Sequence, residues 1–246
     1  MKVSSTEVQN NFGKYMKIAA ELEDVVITRK GREVVKLVPC EERSIVAEEA
    51  VNYSLGYKQR MTYEEFMEFY EKTDQRYELI DGEVFLLASP SYGHQHVISE
   101  ISGNMYNWFK GKKCRPLTAP FDITLEKAKN NICVVQPDIV VICDTNKINS
   151  KGRYFGVPTL AVEVLSASTK SKDMIRKLDL YMQTGVKEYW LVDAEKKEIM
   201  AYSFEKVKGE YTIKDTETFK VDDTLKSKAF PGFEINLKEV FGSSVR

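Results

Sequence analysis

The chain has 246 residues, of which 43% are hydrophobic and 30% are charged, a balance typical of a globular protein and not of a disordered or fibrous one. Its formal net charge of -1 excludes an overall basic signature, so any affinity for nucleic acid must come from local patches. The sequence shows no signal peptide, no long apolar span and no C-x-x-C pair. We therefore expect a cytoplasmic protein without membrane contact and without a zinc site.

The first forty residues carry the pattern of a small helix-plus-hairpin module. Ser4 and Glu7 have the spacing of a capping box. Residues 25–28 and 33–38 are apolar segments on either side of a polar turn with Gly31, which predicts a β-hairpin. An apolar stripe at helical spacing follows the cap: Val8, Phe12, Tyr15, Ala19 and Leu22. So short a unit cannot bury enough apolar surface alone, so we expect it to dimerise or to dock on the rest of the chain.

This module resembles the Phd/YefM antitoxin family through Met1–Ser4, Asn11–Tyr15 and Val26–Glu33. The resemblance implies a symmetric homodimer that binds operator DNA, with a toxin as a further possible partner. The toxin-wrapping tail of the family is absent, and a different domain occupies its place. The DNA-contacting residues it implies are Lys2, Ser4, Ser5, Asn10, Lys14, Arg29, Lys30 and Arg32. Taken alone, the basic turn is weak evidence, because such a turn is more often a solvated hairpin loop than a DNA contact.

A polar stretch separates this module from the remainder of the chain. Residues 46–60 show weak periodicity and predict a linker between a module at 1–45 and a domain at 61–246. Beyond it, Thr62 begins a predicted helix with Phe66, Phe69 and Tyr70 on its apolar face. A second helix is predicted over 97–109.

Two acids lie in apolar runs further along the chain. Asp138 opens the run 139–142, and Glu163 lies within the run 160–165. Runs of this length predict buried strands of a central sheet that is covered on both faces. Alternation along the strand puts Glu163 on the same face as Ala161 and Leu165. A buried carboxylate is costly unless a cation compensates it, so two such acids indicate a shared cation.

The segment after Glu163 predicts a helix. Ser166–Thr169 has the pattern of a helix start, and residues 172–184 have helical spacing up to Gly185. Asp173 and Lys177 are four residues apart, which fits either a surface ion pair or an ammonium directed back over the end of the strand. Beyond the next predicted strand, short apolar segments around a Lys208–Gly209 turn predict a meander of strands.

Taken in order, these features resemble the Uma-two family, a branch of the PD-(D/E)XK nuclease superfamily. The matching positions are Tyr77–Glu83, Ser89–Pro90, His94–Gln95, Pro137–Asp138, Glu163–Ser166, Asp173, Lys177, Tyr181, Gly185–Trp190 and Val192–Asp193. The resemblance implies a restriction-endonuclease-like α+β or α/β domain, with a mixed central sheet flanked by helices. Leu165 stands where the superfamily pattern has its lysine, and Lys177 matches the displaced lysine of this branch.

The resemblance also implies a metal site. Mg²⁺ prefers oxygen ligands and takes one or two carboxylates, so Asp138 and Glu163 would hold Mg²⁺ or Mn²⁺. Lys177 would stabilise negative charge or orient the nucleophile. Glu78 is either a third catalytic acid or a solvated charge beside the Asp81–Gly82 turn. The supporting residues implied are Ser166, Asp173, Tyr181 and His94. His94 and His96 are too few for a zinc site, and a structural place or the edge of the substrate cleft suits them better.

We therefore expect a metal-dependent endonuclease that hydrolyses DNA phosphodiester bonds, fused to an antitoxin-like DNA-binding module. The alternative is a non-catalytic repressor or antitoxin that keeps a nuclease-like fold as a binding platform. A sugar- or nucleotide-processing hydrolase is disfavoured, because the sequence has neither a glycine-rich phosphate loop nor a Ser-His-Asp pattern.

Overall fold

A computed structural model describes residues 1–10, 15, 18–19, 25–29, 31–37, 60–166 and 172–242 of the chain. The chain divides into two compact units, Met1–Ala50 and Val51–Arg246. No helix among these described ranges is long and apolar enough to cross a membrane.

The first unit is a three-stranded sheet with a helical segment. Its elements are β1 (Lys2–Ser4), α1 (Ser5–Asn10), β2 (Val25–Arg29) and β3 (Arg32–Leu37). Strand β2 lies between β1, to which it is parallel, and β3, to which it is antiparallel. The predicted hairpin is confirmed, and Gly31 has the positive φ of 75° that its turn requires. Strand β1 was not predicted, because only three residues precede the helix.

The predicted cap and apolar stripe are present where the structure describes them. The Glu7 backbone N–H donates to Ser4 Oγ at 3.1 Å. Val8, Tyr15 and Ala19 are buried. Phe12 and Leu22 lie outside the described residues. The small core therefore forms between the helical segment and the sheet, as amphipathic spacing predicts.

The second unit contains the larger part of the fold. Its strands, in chain order, are β4 (Tyr77–Ile80), β5 (Glu83–Leu86), β6 (Arg115–Thr118), β7 (Ile123–Ala128), β8 (Asn131–Val135), β9 (Ile139–Ile142), β10 (Leu160–Val164), β11 (Glu188–Asp193), β12 (Glu198–Val207), β13 (Glu210–Lys220), β14 (Thr224–Lys226) and β15 (Glu234–Asn236). Its helices are α2 (Tyr63–Tyr70), α3 (Tyr92–Phe109), α4 (Leu178–Thr184) and α5 (Leu237–Gly242). A 3₁₀ turn covers Thr145–Lys147, and a π-helical turn, Lys172–Lys177, leads directly into α4.

These strands form a mixed central sheet with smaller sheets beside it. The six-stranded sheet has the order β13-β12-β11-β10-β9-β6, in which β10 and β11 are parallel and the other neighbours antiparallel. An antiparallel four-stranded sheet has the order β5-β4-β8-β7, and β14 pairs with β15. The predicted α+β class with a mixed central sheet is therefore confirmed.

The central sheet is buried on both faces, as its apolar runs predicted. Val162 and Val164 of β10 pack in one cluster with residues of α3 and α5. Ala161 belongs to the cluster on the opposite face, which includes residues of α4 and of the four-stranded sheet. Because side chains alternate along a strand, Glu163 points to the second face, beside Ala161.

Three details differ from the sequence expectations. Helix α3 begins at Tyr92 and not at residue 97, because the Ser91 side chain accepts from His94 N and caps an earlier start. The predicted meander is one long hairpin, β12–β13, with Lys208 and Gly209 at positive φ in its turn. Cysteine spacing also did not predict the disulfide between Cys114 and Cys143, which lie beside the paired strands β6 and β9.

Candidate active site

The antiparallel pairing of β9 and β10 brings the two predicted acids together. Val162 pairs with Ile139, so the next residues outward along the two strands are Glu163 and Asp138. The Val164 backbone N–H donates to Asp138 Oδ2 at 2.8 Å and holds that carboxylate against β10. Both acids line a cavity of about 800 Å³. Residues 25 positions apart thus share one wall of a cleft.

Glu163 lies at the buried end of this cavity. Its Oε1 accepts from Lys177 Nζ at 2.7 Å and from the Tyr181 hydroxyl at 2.9 Å. Burial raises the pKa of Glu163 well above its usual range, against the opposing effect of Lys177, and the nearby carboxylates of Asp173 and Asp138 raise it further. Burial and the neighbouring carboxylates therefore both disfavour the ionised form of Glu163.

Glu78 of β4 belongs with Glu163, Asp173 and Lys177 to one cluster of buried charged side chains. It is fully buried, so the alternative of a solvated charge beside the Asp81–Gly82 turn is wrong. Its Oε1 accepts from Gln136 N at 2.9 Å and contacts Lys177 Nζ at 2.8 Å, and its Oε2 accepts from Lys172 Nζ at 2.6 Å. Burial alone would raise the pKa of Glu78, but the two ammonium groups outweigh it and lower the pKa to about 2. Glu78 is therefore the ionised partner of both lysines.

The π-helical turn Lys172–Lys177 places the two lysines. Hydrogen bonding between residues five apart aligns the first and last residues of such a turn on one side, whereas in an α-helix they would be about 140° apart. Asp173 and Lys177 are both buried, with Asp173 Oδ1 3.6 Å from Lys177 Nζ, so the alternative of a surface ion pair is wrong. Burial lowers the pKa of Lys177, but the carboxylates of Glu163, Glu78 and Asp173 outweigh it and raise that pKa.

The remaining supporting residues also lie around this cavity. His94 Nε2 is 3.3 Å from Asp138 Oδ2. Burial lowers the pKa of His94, and the hydrogen bond and charge of Asp138 outweigh that effect and raise it. His94 and Ser166 line the cavity. The location of His94 agrees with the expected edge of the cleft. The predicted helix start after Ser166 lies outside the described residues.

Two carboxylate oxygens at the cavity have no hydrogen-bond partner among the described residues. Asp138 Oδ2 and Glu163 Oε1 accept the hydrogen bonds given above, and Asp138 Oδ1 and Glu163 Oε2 accept none. Each acid thus keeps one oxygen for a ligand. Within the described ranges, no three His, Cys, Asp or Glu side chains converge in a metal-binding cluster.

Comparison with known proteins finds a matching family for each part of the chain. The sequence profile of the Uma2 family, described as "Putative restriction endonuclease", matches residues 63–238. The chain belongs to the Uma2 family. A profile described as "Antitoxin Phd_YefM, type II toxin-antitoxin system" matches residues 1–44. Both resemblances read from the sequence are therefore confirmed.

Two relatives of this Uma2 protein extend the comparison. An uncharacterised protein of Synechocystis sp. is 28% identical over 144 residues, which cover 58% of this chain and 74% of that protein. A crystal structure from Anabaena variabilis, titled as a putative nuclease belonging to DUF820, superposes with a TM-score of 0.59 at 18% identity. The superposition covers 74% of this chain and 98% of that one. The likeness shows that the Uma2 domain has a nuclease-like fold.

One acid in the segment that matches the Uma2 profile lies outside the candidate site and has a structural role. Glu188 of β11 is fully buried, and it does not line the cavity. It accepts from Trp190 Nε1 at 2.8 Å, from Ser227 Oγ at 2.6 Å, and from the backbone N–H groups of Lys228 and Ala229. Four neutral donors satisfy this carboxylate, so it fastens the loop before β15 to the sheet.

Sequence reasoning missed two residues of the candidate site. Lys172 binds Glu78, and Gln136 donates its backbone N–H to the same carboxylate. Gln136 directly precedes the Pro137–Asp138 pair, so its position in the sequence indicated that it lies near the site. Lys172 gave no signal, because only the π-helical turn aligns it with Lys177.

The DNA-contacting residues implied for the antitoxin-like module are only partly described. Lys2 on β1 forms an exposed ion pair with Glu33 at 2.6 Å. Ser5 begins α1, directly after the capping Ser4. Arg29 and Arg32 are exposed and face each other across the end of the hairpin. The side chain of Asn10, and all of Lys14 and Lys30, lie outside the described residues.

Proposed function

We propose that the second unit is a metal-dependent endonuclease that hydrolyses DNA phosphodiester bonds. The observation that carries the proposal is the pairing of Asp138 with Glu163 at the cavity, where each keeps one uncommitted oxygen. The Uma2 membership and the nuclease-like fold support it. We also propose a module at 1–45, a linker at 46–60 and a domain at 61–246, and the matched ranges 1–44 and 63–238 support this division.

The donor set fits a divalent metal, with Mg²⁺ or Mn²⁺ as the proposed cofactor. Mg²⁺ takes one or two carboxylates and leaves its remaining positions to water and phosphate oxygens. The site contains four acids, Asp138, Glu163, Asp173 and Glu78, against the ammonium groups of Lys172 and Lys177. A divalent cation at Asp138 and Glu163 would offset the repulsion among these carboxylates, which adds to the effect of burial in raising the pKa of Glu163.

The residues around the proposed metal would have separate roles in the reaction. When bound, the cation would act as a Lewis acid toward the scissile phosphate. His94 and Val164 N hold Asp138 in one orientation, and Tyr181 does the same for Glu163. Lys177 keeps Glu163 and Glu78 at fixed positions. The same ammonium is the sequence-based candidate for stabilising charge on the phosphate.

The N-terminal module would direct this activity to DNA. The antitoxin match and the exposed hairpin arginines, Arg29 and Arg32, support a docking role, in which a homodimer would present two copies of these side chains to one duplex. The described residues of this module form a small core, and a unit of this length favours self-association.

Cleavage of supercoiled plasmid DNA tests the proposed function. We expect cleavage with Mg²⁺ or Mn²⁺ and none with excess chelator, and we expect Asp138→Asn and Glu163→Gln to abolish both cleavage and metal binding measured by calorimetry. Glu195→Gln is the matched control, because this exposed acid lines the same cavity without contacting the cluster. Cleavage at the wild-type rate by either site variant would refute the proposal. Metal-independent DNA binding without cleavage would support the non-catalytic platform instead.

A further inference from the structure

The cluster contains two lysines where the family pattern provides for one. Lys172 and Lys177 begin and end the π-helical turn, and both contact Glu78, through different carboxylate oxygens. Both line the cavity. Only one of them needs to hold the carboxylates in place, so their other contacts decide which one is available to a ligand.

The ammonium group of Lys177 is buried among protein carboxylates. It lies 2.7 Å from Glu163, 2.8 Å from Glu78 and 3.6 Å from Asp173, and its side chain is only 3% exposed. The two short contacts take two of the three N–H donors of the lysine, and Asp173 Oδ1 at 3.6 Å adds negative charge from beyond hydrogen-bond distance. A phosphate could reach this ammonium only by entering buried space beside three carboxylates of like charge, which is costly.

Lys172 has a different set of contacts. Its ammonium lies 2.6 Å from Glu78 Oε2, and this is its only hydrogen bond among the residues that the structure describes. Its side chain is 10% exposed, and it stands at the cavity wall with two donors left over. The ammonium also lies over the Phe85 ring, 5.4 Å from its centroid.

We propose that Lys172 binds a phosphate group of the DNA substrate and that Lys177 is a positioning residue for Glu163 and Glu78. This inference rests on the proposed function for the identity of the substrate. The anionic ligand accepts hydrogen bonds from the remaining Lys172 N–H groups while Glu78 holds the ammonium in place. Lys172 is then a catalytic residue that the displaced-lysine pattern does not assign.

The salt dependence of DNA binding tests the phosphate contact apart from cleavage. The full-length chain would be titrated against an end-labelled 20-base-pair duplex in EDTA, with fluorescence anisotropy recorded over a range of NaCl concentrations. Each neutralised phosphate contributes about 0.9 to the slope of log affinity against log salt. Lys172→Gln should therefore lower the slope by about one, and Lys172→Arg should restore it. Lys127→Gln is the matched control, because this 15% exposed lysine also pairs with carboxylates but lies outside the cavity.

Single-turnover cleavage with Mg²⁺ provides the second measurement. We expect Lys172→Gln to slow cleavage about 100-fold or more, as removal of a donor to developing charge typically does. An unchanged salt slope in Lys172→Gln, with urea unfolding like that of wild type, would overturn the inference and leave Lys172 as a counter-ion of Glu78. So would the absence of any DNA binding by wild type. A lowered slope in a protein that never cleaves DNA would sustain the inference while the proposed catalytic function fails.

Discussion

Replacing Lys177 with methionine isolates the energetic role of the buried ammonium. Methionine has a similar length without charge, so Glu163 and Glu78 lose an ion-pair partner at 2.7 and 2.8 Å while the cavity is little enlarged. Removing one partner of a buried ion pair typically costs about 3–5 kcal/mol. Whole domains have only about 5–15 kcal/mol of stability, so we expect a large part of the stability of the second unit to disappear.

The loss should depend on pH in a defined direction. The folded-state pKa of Glu163 is raised, so its contribution to stability is present below its usual pKa and is lost as pH rises through the raised value. Glu78 has its pKa lowered to about 2, so its contribution is present above its usual pKa and is lost toward pH 2. Without Lys177, both carboxylates are less stable as anions. The variant should therefore be destabilised more at pH 8 than at pH 4.

Urea unfolding followed by tryptophan fluorescence measures this difference. Both tryptophans of the chain, Trp108 and Trp190, lie in the second unit, so the signal reports on that unit. Lys127→Met is the matched control, and it should cost about 1 kcal/mol or less because the side chains of its partners, Asp81 and Asp179, are 34% and 47% exposed to solvent. A loss below about 1 kcal/mol for Lys177→Met at pH 8, or an equal loss at both pH values, would refute the reasoning.

Three further outcomes are expected. Glu188→Gln should lower stability by about 1–3 kcal/mol in thermal unfolding, since a buried hydrogen-bond network is disturbed, yet leave the cleavage rate per folded molecule unchanged; a loss of cleavage would place Glu188 in the site. Mg²⁺ should raise the melting temperature more at pH 8 than at pH 5, because protons compete for a carboxylate whose pKa is raised, Glu163; a larger shift at pH 5 would contradict this. The double variant Arg29→Ala/Arg32→Ala should lower the salt slope of duplex binding without changing cleavage at saturating protein, and an unchanged slope would count against docking by the hairpin.

The parts of the fold that could be predicted depend on patterns among residues that are close together in the sequence. An apolar run of four or five residues interrupted by one acid fits a buried strand, so β9 and β10 and their acids followed from the sequence. Gly31 and Gly185 marked a turn and a helix end because both need positive φ. These features involve neighbouring residues only.

Features that depend on distant residues or unusual geometry were not predictable. The antiparallel register that places Asp138 beside Glu163 is fixed by sheet pairing, which alternation along one strand does not encode. Lys172 faces the cluster only because Lys172–Lys177 is a π-helical turn, and helical spacing assumes an α-helix. The Cys114–Cys143 bridge likewise depends on the pairing of β6 with β9.

Anomalous diffraction from crystals soaked in Mn²⁺ tests the central claim most directly. The account predicts a Mn²⁺ peak within roughly 2.5 Å of both Asp138 Oδ1 and Glu163 Oε2, the distance range of oxygen ligands around divalent cations. The peak should be absent from Glu163→Gln crystals and present in Glu195→Gln crystals. Saturating Mn²⁺ that leaves no peak between Asp138 and Glu163 in the wild-type protein would contradict the account.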